Sequence, residues 1–147
     1  MNNYPEWWNR NITIYNMFKD SNGKVVWYST KIEGAFYQVD NIKVAVGQTI
    51  IQSDSTICRI RVDERFMNPK DWKQLSGEDK ANFFTLAPRD IIVNDHVDFK
   101  VDEYAKGHRA SDLIAEYKGW PGCFTVETVS INVGGGRGNE HYLARGL

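Results

Sequence analysis

The residues of this chain best able to do chemistry crowd into residues 86–101, LAPRDIIVNDHVDFKV, where Asp90, Asp95, His96 and Asp98 fall within nine positions. Carboxylates and an imidazole at this density could ligate a divalent ion or form an acid/base pair. Their spacing argues otherwise. Ile91, Ile92 and Val93 read as one strand, and Asn94-Asp95 as a two-residue turn. Val97, Phe99 and Val101 then alternate with Asp98, Lys100 and Asp102 as a second strand. Alternation sends Asp98 and Asp102 away from the apolar face. Asp95 belongs to the turn and Asp90 to the start of the first strand. These groups do not converge, and the expectation is a hairpin with a solvated face. A metal site would need a partner from elsewhere, and His108 and His141 are the only other histidines. No catalytic residue, metal or cofactor is expected.

Other chemical signatures are weaker still. GGGRGN, residues 134–139, lacks the G-x-x-x-x-G-K-[ST] spacing of a phosphate loop, and Asn139 stands where G-x-G-x-x-G needs its last glycine. Nine residues follow Gly138, too few for the rest of a dinucleotide unit. There is no G-x-S-x-G, and neither Cys58 nor Cys123 lies in a C-x-x-C pair. Both cysteines are expected as free thiols, Cys58 as a small hydrophobe inside a strand. Eighteen basic residues stand against nineteen acidic ones, without the basic excess of a phosphate-binding protein. The start, MNNYPEWWNRN, has no signal-peptide shape, and no apolar run approaches bilayer length, so no membrane partner is expected.

The elements that must position these residues are mostly strands. The chain's 147 residues fit a single domain, and its 13% aromatic content suits sheet surfaces and interfaces. NITIYNMFK and VVWYSTKIEGAFY flank Asn22-Gly23, a hairpin signal. A two-residue turn there pairs Phe18 with Trp27 and Met17 with Tyr28. Residues 39–55 are less regular and are expected as a long loop. TICRIRVD puts Cys58, Ile60 and Val62 on one face, and Ile57, Arg59 and Arg61 on the other, facing water or a partner. NPKDWKQL opens with an N-cap and a proline, predicting a short helix. SGEDKANFFT reads as loop. ASDLIAEYKG predicts a second short helix capped by Ser111. CFTVETVSINV is a last strand with Phe124, Val126, Thr128 and Ser130 on one side. Residues 1–10 and 134–147 are expected as terminal arms. Without βαβ alternation, the fold class is mainly β: a small antiparallel β-barrel of about six strands with one or two short helices.

The order of these segments resembles a family of minor capsid proteins of tailed bacteriophages. ITIYNMF, a Tyr/Trp-rich second strand, GAFYQ, NPKDWKQL and FFTLAPRDIIVNDHVDF follow in sequence. FTLAPRDIIVNDHVDF is similar to that family's FTLQPGDYIVKGEVDFE, and FTVETVSIN with a glycine-containing loop and a histidine looks like its C-terminal end. Arg89 replaces the glycine of the family's PGD turn, which leaves that turn's backbone open, and residues 39–55 have their own wording. The resemblance implies a head-closure, or head-to-tail connector, subunit in the virion, forming a homo-oligomeric ring between portal or adaptor protein and tail or neck proteins. Genomic DNA would pass through such a ring without sequence-specific binding, which a near-neutral charge suits. Assembly in the bacterial host cytoplasm follows from the same likeness.

A ring subunit needs interfaces, and the residues expected to supply them are Trp7, Trp8, Ile50, Ile51, Arg59, Arg61, Arg137, His141 and Tyr142. Two rival roles stand beside this one. One is a tail terminator or tail-completion protein. The other is a small ligand- or single-strand nucleic-acid-binding barrel, in which sheet aromatics would stack bases.

Overall fold

The computed structural model describes residues 4–134 and 140–146, with backbone alone for residues 41–46 and 49–54. Six antiparallel strands close into a barrel: β1 Arg10–Lys19, β2 Val25–Val46, β3 Thr49–Arg61, β4 Ile91–Val93, β5 Cys123–Asn132 and β6 His141–Gly146, in the spatial order β1-β2-β3-β6-β5-β4. Among the described residues three short helices accompany them: α1 Pro69–Lys73, α2 Gly77–Asn82 and α3 Ala110–Tyr117.

The interior is filled by the inward halves of alternating strands. Ile12 and Ile14 of β1, Ile32 and Ala35 of β2, Cys58 and Ile60 of β3, Phe124 and Val126 of β5 and Tyr142 and Ala144 of β6 meet Phe84, Leu86 and Ile92 there. A second apolar layer covers the outside of β1 and β4. Tyr15, Ile91 and Val93 point outward and are sealed by Val101 and Leu113, with Val97, Phe99 and Ile114 packed around them. Residues 12–16 of β1 are therefore buried without interruption, as befits a strand covered on both faces.

The β1–β2 turn corrects the expected register. Met17 pairs with Trp27, and Phe18 with Val26. The Asp20 N–H donates to the Lys24 carbonyl and the Gly23 N–H to the Asp20 carbonyl, while the Asp20 carboxylate accepts from the N–H groups of Asn22 and Lys24. Three residues thus lie between the hydrogen-bonded Asp20 and Lys24, and Gly23 takes the left-handed φ of 81° that such a loop requires. One extra loop residue slides the pairing by one and exchanges inward for outward along the strand.

Residues 39–55 are not a loop. They form a hairpin in which Val39 pairs with Thr56 and Val46 with Thr49, so β2 and β3 run on beyond the barrel as a two-stranded ribbon. Nor are residues 134–147 wholly an arm: β6 lies between β3 and β5, closing the barrel. At the other terminus, residues 4–9 fold back onto the barrel rather than standing off it, with Trp8 buried. The expected hairpin after β4 is also absent. Residues 97–101 form no strand and instead cross the outer face of β1, where the Tyr15 hydroxyl donates to the Phe99 carbonyl (2.6 Å) and the Val97 N–H donates to the Thr13 hydroxyl (3.1 Å).

In β5 the alternation breaks after Val126. The pairing with β6 shifts between Val126 and Thr128, a bulge, so Val129 rather than Thr128 turns toward the core. α1 forms where expected, the Asn68 side chain accepting from the Asp71 N–H. Asn68→Ala is expected to cost about 1 kcal/mol, readable as a lower urea midpoint with an unchanged slope. α2 occupies the stretch expected as loop, capped by the Ser76 hydroxyl. α3 starts after Arg109 rather than Ser111: the Asp112 carboxylate accepts from the Arg109 N–H, a bond that places the cap two residues earlier.

Candidate functional site

The four groups of residues 90–98 part company in the fold. Asp90 is buried. Its Oδ1 accepts from the Met17 N–H (3.0 Å), and its Oδ2 from Asn16 Nδ2 and the Ala87 N–H (2.9 Å each). Burial pushes its carboxyl up to about 6, against the pull of those three donors. The Asp95 carboxylate accepts from the His96 N–H, and His96 Nε2 meets the Ile32 carbonyl at 3.0 Å. Asp98 is exposed and paired with Lys31, whose ammonium holds the carboxyl below the usual carboxylate range. Among the described residues no three His, Cys, Asp or Glu side chains gather as a metal site. Asp90 ties the Ala87–Asp90 turn to β1.

That turn keeps the form a glycine would give it. The Asp90 N–H donates to the Ala87 carbonyl, and Arg89 carries a φ of 84° behind Pro88. The backbone is thus left-handed at the position where the resembled family has glycine, and the arginine bears the strain.

The residues expected at interfaces divide sharply. Trp7 is exposed, at 66%, and remains a candidate. Trp8 does not: it is buried, stacked on Tyr4 with ring centroids 5.1 Å apart and edge-on to His141 at 5.5 Å. Tyr142 is also a core residue, stacked on Phe66 at 4.0 Å, because β6 turns its ring into the barrel. Arg59 lies over the Phe36 ring. Arg61 works within the chain: Nε donates to the Gly34 carbonyl (2.7 Å), Nη2 to the Trp8 carbonyl (3.0 Å), and its guanidinium sits over Tyr4. The Tyr4 hydroxyl donates to the Glu140 carbonyl. Arg61 therefore clasps the N-terminal segment to the bend in β2. Arg137 and the side chains of Ile50 and Ile51 lie outside the described residues.

Gly34 makes that clasp possible. Its φ is 71°, and a Cβ there would come within 2.7 Å of the Arg61 guanidinium. Gly34→Ala is expected to cost about 1–2 kcal/mol from backbone strain alone, and in an Arg61→Ala background the further loss from displacing the guanidinium should disappear. A double-mutant cycle by chemical denaturation measures this.

The sequence reading missed a groove on the opposite side of β2. It holds about 370 Å³ between Trp27, Ser29 and Lys31 of β2, the crossing segment at Val97 and Phe99, and Ala81 of α2. It continues past Thr30 and Asn82 to Arg65. Below α2, the Lys80 ammonium is buried 4.2 Å from the Phe18 ring centroid, donates to the Leu75 carbonyl, and is pushed down from the ordinary lysine range by desolvation. A signal for the groove was present in the Trp27-x-Ser29-x-Lys31 alternation, but the misplaced β1–β2 register obscured which face it belonged to.

Residues 7–146, from exposed Trp7 through the last position of β6, match a family of unknown function, DUF6751. The chain belongs to this family. No curated protein and no solved structure matches it. All six strands of the DUF6751 barrel, Arg61 with its acceptors at Gly34 and Trp8, and the groove beside β2 fall inside the matched span. No helix among the described residues is long and apolar enough to cross a membrane.

Proposed function

We propose that this chain is an architectural subunit of a tailed-phage neck, of the head-closure or head-to-tail connector type, assembling with its own copies into a ring between portal or adaptor and tail proteins. The observation that carries this reading is the ribbon formed by residues 39–55. A two-stranded ribbon is marginal when isolated in water, and this one extends from a barrel that is already closed and filled. Among the described residues its backbone pairs only within itself before Thr56, where β6 joins β3, so its outer edges suit contact with another chain. The motif order resembling phage minor capsid proteins supports the same reading.

In this role the mechanism is assembly. The barrel supplies a rigid body, while the ribbon and exposed Trp7 supply contacts. DNA passes without being held because the formal charge of −1 gives no strong phosphate neutralisation. The buried carboxylate acts as a fold fastener and no chemical step is assigned to the chain. Its place of action is the virion.

Reconstruction of the intact particle by electron microscopy tests this. Density for the barrel is expected in a ring at the neck. Purified protein that never joins a portal-bearing particle would count against the proposal, and a ring capping the head-proximal end of tails assembled without heads would favour the tail-terminator reading.

A further inference from the structure

β2 serves two neighbours in succession. Its first half pairs with β1 as far as Ala35, and β3 takes over at Phe36. One edge of the first half therefore has no strand beside it among the described residues. The hydrogen-bonding parity shows which groups face that edge. The Asp20 N–H bonds the Lys24 carbonyl, so even-numbered residues of β2 face β1; Met17, an odd residue of β1, points its N–H the other way, to Asp90. The odd residues of β2 face outward. Val25 accordingly donates its N–H to the Tyr104 hydroxyl. Trp27, Ser29 and Lys31 follow in the same orientation, and along them runs the groove described above.

The groove is walled on both sides of this edge. Residues 97–101 stand on the outer-layer side, held there by Tyr15, and α2 stands on the other. The first wall sets Val97, Phe99 and Val101 beside Trp27, interleaved with Asp98, which pairs with Lys31, and Lys100. The second is polar, with Asn82 and Arg65. A lone strand or a bare ribbon adding to this edge would turn alternate side chains toward the Val97–Phe99 side and the Asn82–Arg65 side.

The same chain carries such a ribbon. Residues 41–46, NIKVAV, pair with β3 on one edge, and β1 stops short of them on the other. In sequence Ile42, Val44 and Val46 alternate with Asn41, Lys43 and Ala45, so one set would face each wall. We infer that residues 41–46 of one copy add as a strand to the β2 edge at residues 27–31 of a second copy, seated in the groove. The contact is heterologous, ribbon of one chain in the groove of the next, so it propagates and closes only as a ring. This specifies the subunit contact of the ring reading and rests on that reading for its choice of occupant.

The test uses the full chain and two blocking variants. Ser29→Pro removes an outward N–H and leaves the β1 ladder intact, since proline is tolerated on an open edge. Lys31→Pro does the same one pair along and serves if the first fails to fold. Val44→Glu places a charge on the ribbon's apolar side. Sedimentation velocity is expected to show concentration-dependent oligomers for the unaltered chain and at least tenfold weaker association for each variant, from one lost hydrogen bond plus a steric block. Mixing Ser29→Pro with Val44→Glu leaves one competent groove and one competent ribbon per pair, so the mixture should form dimers and nothing larger. Undiminished association of both variants, a mixture that stays monomeric, or an unaltered chain that is monomeric at every concentration overturns the inference. A neck ring seen in particles alongside undiminished variants overturns this contact while leaving the ring reading standing. Mixed dimers from a chain absent from the neck do the reverse.

Discussion

Truncating Trp72 to alanine should destabilise the fold by about 3–5 kcal/mol, the range for deleting a buried indole. Trp72 is the single buried anchor of α1. It meets Tyr28 edge-on at 5.7 Å and Phe18 at 6.2 Å, and its indole N–H donates to the Phe83 carbonyl at 3.4 Å. The Lys80 ammonium lies 5.7 Å from the same ring. Removing the indole opens a cavity beneath both short helices and strips one aromatic face from a buried cation. Neither helix is long enough to persist without tertiary support. Urea unfolding followed by circular dichroism should show the loss, and Trp72→Phe should recover most of it, because the edge-on ring contacts matter more than the long N–H bond. A Trp72→Ala chain within about 1 kcal/mol of the parent would mean that α1 and α2 are held by something else.

The second large effect concerns Asp90 and carries a pH signature. With Asp90→Ala, the Met17 N–H, the Ala87 N–H and Asn16 Nδ2 all lose the acceptor they share. At about 1–3 kcal/mol for each unsatisfied buried donor, the total loss should be several kcal/mol. Asp90→Asn isolates the charge. Burial raises the folded carboxyl from 3.8 to about 6. A group whose folded value lies above its unfolded one contributes stability that is complete below about pH 4 and lost as pH rises through 6. The gap of about two pH units corresponds to roughly 3 kcal/mol. The stability difference between Asp90→Asn and the parent should therefore move by about this much, in favour of the variant, between pH 4 and pH 7.5. Asp63 moves oppositely: the hydrogen-bonded Arg65 guanidinium lowers its pKa, so its contribution is lost as pH falls. Because both chains keep Asp63, the comparison cancels it. Denaturant midpoints across that pH range decide the matter, and parallel curves would remove the raised carboxyl from the account.

The sequence was most legible where one residue type dictates one local geometry. The barrel class followed from short alternating runs, and the α1 start from Asn68 and Pro69. Legibility ended where long-range pairing decides. Val97, Phe99 and Val101 alternate as a strand should, yet no ladder forms there, because β5 takes the neighbouring edge of β4 and the segment serves as a cover. β6 is only six residues long, and its identity depends on β3 and β5, distant in sequence. Ser76 and Asp79 did carry a cap signature for α2, hidden behind Gly77. The candidate site suffered most. Trp8, Arg61 and Tyr142 have the composition of interface residues, but the chain uses them on itself. The groove needed a β1–β2 register that a single loop residue controls.

β2 has a consequence beyond recognition. One 22-residue strand belongs both to the barrel wall and to the ribbon, a span of roughly 70 Å if fully extended. A tug on the ribbon tip is delivered along the strand axis, so the ladders to β1 and β3 are loaded in shear and their bonds must yield together rather than one by one. Arg61, bridging the bend at Gly34, sits where that load crosses from one ladder to the other. A load applied at the ribbon tip would therefore be shared by both ladders at once rather than peeled from either end.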